Sequence, residues 1–321
     1  MMSFRRSLWL ASTVLFLLAG VALLLTKDNL SHPLLRRLAV SDKRLGIVHL
    51  GKCHGIGMLL MIRKQKDSEL GKRPVKYYHM HTLVMDDHDE FLALVRDPID
   101  RVRAAWAFEH PKNAHFRRSP HHHLDGKLPK ANALYECYET FDDLARDGLG
   151  GAPWKDPCPI LARELFGCVQ PDVCPGIFHI IMNFGYYYTE LLQQKTDSKK
   201  IYLVRNELMV QDMNQINVMM GDSNANLFQN QHDSSAFSHW IDGTNSKTDL
   251  PVSGNQHISN EGYKNLCRVL CPELQIYKQL FARAVNINSK DILDMMTSLR
   301  SKCPAEADLD DCPEQFRTLI P

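Results

Sequence analysis

The sequence predicts an α/β domain with a mostly parallel central sheet flanked by helices, preceded by one transmembrane helix. Short apolar segments recur along the chain, and segments with helical spacing of apolar residues separate them, which is typical of a parallel sheet. The uncharged run of 18 residues from Leu8 to Leu25 predicts the membrane helix, because a helix of that length spans roughly 27 Å. With 321 residues and 44% hydrophobic content, the chain has material for one substantial core.

The amino-terminal charges indicate how this helix is oriented. Arg5 and Arg6 precede the apolar run, and a short basic end stays on the cytosolic side of a membrane. We therefore expect a cytosolic tail over residues 1–7, a signal anchor over 8–25, a polar stem over 26–44 and a lumenal remainder. A cleaved signal peptide is the alternative interpretation, with Gly20-Val21-Ala22 as its small-residue cleavage site.

The predicted lumenal domain covers residues 45–299, and 300–321 form a carboxyl-terminal tail. Helices are predicted from Met58, from Pro98 and from Tyr186, over 207–220, and as one long last helix from Ser259 to Phe281. Residues 110–130 and 221–257 have little periodicity and are expected to border the site as loops. The predicted strands are 45–50, 75–81, 91–95, 176–182 and 200–204.

Charge and cysteine content limit the classes of partner and compartment. The 38 basic and 37 acidic residues give a net charge of +1, so nothing attracts nucleic acid in general and any anion site is local. Nine cysteines suit an oxidising compartment. Cys267 and Cys271, four apart on a predicted helix, are expected to pack in the core. Disulfides are expected, with the pairing open, among Cys137, Cys158, Cys168, Cys174, Cys303 and Cys312.

No metal site is predicted. The chain has no Cys-x-x-Cys pair, and His121-His122-His123 lacks carboxylate or cysteine partners at suitable spacing.

An arginine segment is the most informative stretch of the chain. Phe91 to Val95 predicts a buried strand, and Arg96 follows at its carboxyl end. Pro98 suits the first turn of a helix, on which Arg101 and Arg103 follow. A strand end and a helix start that carry arginines predict an anionic ligand, most simply a phosphate.

A glycine-rich loop follows the first predicted strand and precedes the first predicted helix. Its residues are Gly51-Lys52-Cys53-His54-Gly55-Ile56-Gly57. Backbone amides and a helix amino end in this order form an anion cradle. The spacing is not that of a Walker A loop, which argues against a nucleotide kinase.

Three segments together resemble the motifs of carbohydrate sulfotransferases that use 3′-phosphoadenosine 5′-phosphosulfate (PAPS) and are Golgi type II membrane proteins. His49-Leu50-Gly51-Lys52-Cys53 resembles the start of their 5′-phosphosulfate loop, and Arg96-Asp97-Pro98 with Arg101 resembles their 3′-phosphate segment. The strand and helix around Arg205 are similar to a late Arg-x-Glu motif. The resemblance spans about residues 45–285 and implies a P-loop-like sulfotransferase fold. It also implies sulfuryl transfer from PAPS to a carbohydrate hydroxyl in the Golgi lumen, with no metal.

The resemblance also implies roles for individual residues. Lys52 would steady the leaving phosphate, and Arg96, helped by Arg101 or Arg103, would bind the 3′-phosphate. Arg205 would help to close the cofactor site, with an ordinary surface pair to Glu207 or Asp212 as the alternative. The remaining cofactor contacts would come from Cys53, His54, Gly55, Ile56, Gly57 and Ala104.

A histidine is the expected base. His79 and His81 lie on one face of a predicted strand, and His81 is preferred because it is nearer the carboxyl end, where open α/β sheets bind ligands. An imidazole suits removal of a hydroxyl proton near neutral pH. Glu109 and His110 are weaker candidates.

A second hypothesis is a catalytically silent relative that binds a glycan or a protein in the lumen. Ile56, Gly57 and Ala104 stand where the sulfotransferases carry hydroxyl side chains that bind phosphate. The acceptor and the oligomeric state are not predicted.

Overall fold

The structure is a computed structural model that describes residues 44–78, 88–111, 128–150, 156–167, 178–193, 199–228, 257–306 and 308–312. The predicted cytosolic tail, the anchor and nearly all of the stem lie outside these residues, as do His79, His81, Cys168 and Cys174. The described residues belong to one unit that begins at Arg44. In the ranges given above, no helix is both long enough and apolar enough to cross a bilayer.

Four parallel strands form the sheet, in the order β2-β1-β3-β4. They are β1 (Leu45–His49), β2 (Val75–Tyr78), β3 (Glu90–Val95) and β4 (Lys200–Arg205). Every residue of β1 and β3 is buried, as expected for the central strands of a parallel sheet that has helices on both faces. The predicted α/β class, with a parallel sheet flanked by helices, is confirmed.

The helices are numbered along the described residues. A π-helical turn, Leu144–Gly148, follows α4, and a 3₁₀ turn, Asn206–Leu208, precedes α8. The helices are α1 (Gly55–Lys64), α2 (Pro98–Glu109), α3 (Leu128–Cys137), α4 (Phe141–Asp143), α5 (Pro157–Phe166), α6 (Phe178–Ile181), α7 (Phe184–Gln193), α8 (Met209–Met219), α9 (Asn260–Val269), α10 (Cys271–Arg283) and α11 (Ser289–Lys302).

Helix α2 begins where the sequence predicts. Pro98 occupies its first turn, and the side chain of Asp97 accepts hydrogen bonds from the amides of Ile99 (3.0 Å) and Asp100 (3.2 Å). This cap holds the helix directly after β3, so Arg96 lies at the carboxyl edge of the sheet.

Two predicted elements are wrong. Where the structure describes the predicted strand 176–182, Phe178–Ile181 is the short helix α6, and side chains rather than a neighbouring strand bind the backbone of His179. A short apolar run fits a buried strand and a buried helical turn equally well. The single last helix is instead α9 and α10, which are separated at Leu270, because Pro272 in the first turn of α10 cannot donate an amide hydrogen.

Disulfides join Cys137 to Cys158, Cys267 to Cys303, and Cys271 to Cys312. The prediction of disulfides is confirmed for Cys137, Cys158, Cys303 and Cys312. The prediction that Cys267 and Cys271 only pack in the core is wrong: both are buried, but each is bonded to the segment that follows α11. Helix α11 itself continues across residue 299 and ends at Lys302.

Candidate functional site

The glycine-rich loop between β1 and α1 has an unusual backbone. Lys52 has φ of 70° and His54 has φ of 54°, which places two non-glycine residues in the left-handed region within three positions. His54 is the N-cap of α1 and makes no side-chain capping hydrogen bond to the first turn, which consists of Gly55, Ile56 and Gly57. Such strain is maintained only by surrounding contacts and is concentrated at functional sites.

Two histidine rings hold the loop in place. A methyl group on Gly51 would overlap the ring of His179, and one on Gly55 would overlap the ring of His49. His49, at the end of β1, is itself bound through Nδ1 to the hydroxyl of Tyr77. The glycines are therefore needed because aromatic rings pack directly against the loop backbone.

Lys52 points its ammonium group at an aromatic ring. Its Nζ atom lies 2.7 Å from the ring centroid of Phe108, near the end of α2. Burial holds the pKa of Lys52 well below its usual value; nearby Glu109 raises that pKa, and nearby Arg96 lowers it. Burial therefore destabilises the charged form of Lys52, and an anion bound beside it would stabilise that form.

Arg96 lies beside the same loop. Its Nη1 atom donates to the carbonyl oxygen of Lys52 at 3.4 Å, and its buried Nε has no hydrogen-bond partner in the part of the chain that the structure describes. Across the same residues, neither Lys52 nor Arg96 forms an ion pair with a carboxylate. The fold thus brings together two cations that are 44 positions apart in the sequence, with hydrogen-bonding capacity left over.

The other two arginines of the segment, Arg101 and Arg103, are paired with carboxylates of the protein. Arg101 is fully buried, with Nη2 2.7 Å from Glu273 and Nη1 bound to the carbonyl oxygen of His179. Arg103 pairs with Asp100 at 2.8 Å. Both guanidinium groups therefore bind protein groups.

The first turn of α2 is also bound by protein groups. Asp97 caps the helix, and Lys302 lies 3.2 Å from Asp97 and 2.7 Å from Asp100. Ala104 is half-buried on the same helix and has no polar side-chain atom to offer.

Arg205 is held in a buried carboxylate cluster. It contacts both carboxylate oxygens of Asp212, the nearest at 2.6 Å, and it also contacts Asp291 at 2.5 Å. The alternative pairing with Asp212 is therefore present, but it is buried and not at the surface. This guanidinium therefore stabilises the junction of β4 with α8 and α11.

Three residues that the sequence analysis did not select as site residues, or ranked low, lie beside the glycine-rich loop. Glu109 accepts hydrogen bonds from both the backbone amide (2.8 Å) and the ring Nδ1 of His179. The rings of Phe108 and His179 meet edge to face, with centroids 5.5 Å apart. Phe108 and Glu109 could have been selected from the sequence, because they are the last two residues of the helix that carries Arg101 and Arg103. His179 could not, since it comes from a segment 70 positions away.

Burial raises the pKa of the Cys53 thiol to about 12, even though Arg101 and Arg96 act to lower it. Cys53 is a buried free cysteine whose Sγ lies 4.0 Å from the Gly51 carbonyl oxygen. A protonated, buried thiol is a packing group here and not a nucleophile.

No protein-family model, curated protein or solved structure matches the chain. Within the described ranges, no group of three or more histidine, cysteine, aspartate or glutamate side chains is placed to hold a metal ion. The contact between Lys52 and Arg96 beside the glycine-rich loop is the feature of the described residues that points to a ligand.

Proposed function

We propose that the protein is a PAPS-dependent sulfotransferase that moves a sulfuryl group to a carbohydrate hydroxyl. One observation carries the proposal: Lys52 and Arg96 lie together at the carboxyl edge of β1 and β3, beside a strained glycine-rich loop. Open α/β sheets bind ligands at this edge, and two adjacent cations that form no ion pair with a carboxylate of the described residues favour a ligand with more than one negative charge.

The chemistry needs little more than positioning and charge. In the transfer, the bond from sulfur to the 5′-phosphate oxygen breaks, and negative charge develops on that phosphate. Burial lowers the pKa of Lys52, so a neighbouring phosphate anion would stabilise its charged form, and the ammonium would in turn stabilise the leaving phosphate. Arg96 has an Nε donor that finds no partner among the described residues, and it suits the 3′-phosphate. The uncapped first-turn amides of α1 suit the phosphosulfate.

The proposed setting is the Golgi membrane. Residues 8–25 would form the anchor, the catalytic domain would lie in the lumen, and the acceptor would be a glycan. Three disulfides among the described residues support an oxidising compartment. The balanced charge of the chain gives no reason to propose a nucleic acid as partner, and the proposed transfer needs no metal.

Binding of the product nucleotide 3′-phosphoadenosine 5′-phosphate (PAP) tests the site directly. We expect PAP to raise the melting temperature of the full chain and the Arg96→Ala variant to bind PAP roughly 10- to 150-fold more weakly. That range corresponds to about 1.5–3 kcal/mol for hydrogen bonds to a charged group. Arg103→Ala is the matched control, because Arg103 pairs with Asp100. Equal losses in both variants, or no thermal shift at millimolar PAP, would remove the basis of the proposal.

Catalysis is tested separately with radiolabelled PAPS and a panel of glycans. We expect label to be transferred to at least one glycan by the wild type and not by Lys52→Ala. The second candidate function, a silent glycan- or protein-binding relative, is favoured by Ile56, Gly57 and Ala104, which offer no hydroxyl to a phosphate. Binding of PAP without transfer to any glycan would select this second function.

A further inference from the structure

We propose that His179, oriented by Glu109, is the catalytic base of the transfer. This inference rests on the proposed function and replaces the histidines 79 and 81 that the sequence favours. His179 comes from α6, a segment that no motif singles out, and its ring packs against Gly51 in the glycine-rich loop.

The backbone of His179 is fixed by the arginine-bearing helix. Arg101 donates to its carbonyl oxygen, and Glu109 accepts from its amide at 2.8 Å. Both side chains belong to α2 and are nearly or fully buried. Because α2 also carries Phe108, on which the Lys52 ammonium rests, the imidazole and the ammonium are positioned by one rigid element.

The ring of His179 is oriented as a base requires. Its Nδ1 atom is bound to Glu109 Oε1, and donation to a carboxylate sets the tautomer in which Nε2 carries the lone pair. The ring atoms nearest to the position of a methyl group on Gly51 are Cδ2 and Cγ, so the imidazole packs directly against the glycine-rich loop that carries Lys52. The side chain of His179 is 18% exposed and that of Glu109 is 4% exposed, so the imidazole is the more accessible member of the pair.

The proposed step balances with the groups present. The acceptor hydroxyl oxygen forms a bond to sulfur while the bond from sulfur to the 5′-phosphate oxygen breaks, and that electron pair stays on PAP. The hydroxyl proton passes to His179 Nε2, and the resulting imidazolium is stabilised by Glu109 until the proton is released to solvent. The products are a sulfate ester and PAP, and no oxidant, reductant or metal is required.

The experiment compares variants of the full chain, using radiolabelled PAPS and whichever glycan of the panel the wild type sulfates. His179→Gln retains an amide donor for Glu109, and His88→Gln is the matched control. His88 is also a buried histidine, bonded to Tyr78 at 2.6 Å, but it precedes β3 at the opposite edge of the sheet. We expect His179→Gln to lower kcat by about 10²- to 10⁴-fold, the usual contribution of a general base. PAP affinity should stay within threefold of the wild type, and His88→Gln should retain its activity.

Three further readouts separate a base from a structural histidine. The acidic limb of the kcat profile against pH should disappear in His179→Gln, and added imidazole should partly restore the activity of His179→Ala. Glu109→Gln should lower kcat less than His179→Gln does. An unchanged pH profile in His179→Gln, or a loss of PAP affinity as large as the loss of rate, would overturn the assignment of the base. A wild type that binds no PAP or sulfates no glycan would overturn the proposed function itself, so the two failures are distinguishable.

Discussion

The buried pair of Arg101 and Glu273 allows a sharp test of which arginines bind a ligand. The structure gives Arg101 a partner 172 positions away, and both side chains are almost completely excluded from solvent. Arg101→Met leaves Glu273 as an uncompensated buried carboxylate. Breaking such a pair typically costs about 3–5 kcal/mol, which corresponds to a fall in melting temperature of roughly 6–20 °C for a domain of this size.

A double variant makes the prediction specific. Arg101→Met combined with Glu273→Leu removes both charges and leaves mainly the lost hydrogen bond from the guanidinium to the His179 carbonyl oxygen, which is worth about 1.5–3 kcal/mol. We therefore expect the double variant to be more stable than either single variant, with a coupling free energy of about 3 kcal/mol or more. Arg103→Met is the control on the same helix, because its partly exposed pair with Asp100 is worth less than about 1 kcal/mol.

Thermal unfolding of the full chain in detergent, without reductant, is a suitable assay, and PAP binding is measured on the same samples. Suppose that Arg101→Met kept its melting temperature within about 2 °C of the wild type but lost PAP binding. Arg101 would then be a ligand-binding residue, and the assignment of the buried pair as structural would be refuted.

Three other variants test the loop and its surroundings. Lys52→Met should raise the melting temperature at pH 7 while weakening PAP binding. Burial holds the pKa of Lys52 in the folded protein well below its pKa in the unfolded chain. The free energy of unfolding of the wild type should therefore increase as the pH rises from the folded-state pKa to the unfolded-state pKa, and that of the variant should not. Melting curves from pH 6 to 10 check this, and a variant no more stable than the wild type at pH 7 would contradict it. Gly51→Ala should lower the free energy of unfolding by about 1–3 kcal/mol and weaken PAP binding, because the added methyl group overlaps the ring of His179. An unchanged affinity of this variant for PAP would show that the loop tolerates displacement. Cys303→Ser should lower the free energy of unfolding by roughly 4 kcal/mol, since it removes the disulfide to Cys267, which closes a loop of 36 positions. Denaturant unfolding measures this, with Cys53→Ser as the control because Cys53 is a free cysteine. Equal stability of the two variants would contradict the prediction.

Much of the fold was predictable because its signals are local. Continuous apolar runs mark β1, β3 and β4, and Pro98 preceded by Asp97 marks the start of α2 within one residue. Each signal depends on the backbone geometry of a few consecutive residues. The segment 176–182 shows the limit of such signals, since the same apolar residues serve as well in a buried helical turn.

The sequence by itself determined the positions of the four strands along the chain, and it placed Lys52 and Arg96 each after a strand, from which their meeting at one edge of a parallel sheet follows. Only the tertiary structure decided which cations face that edge. Arg101 is bound by Glu273 and Arg205 by Asp291, whereas His179 is brought to the loop from a segment without a motif. The physical reason is that an ion pair, a disulfide or a ring contact depends on distance in space, and no local pattern encodes a partner that lies dozens to hundreds of positions away.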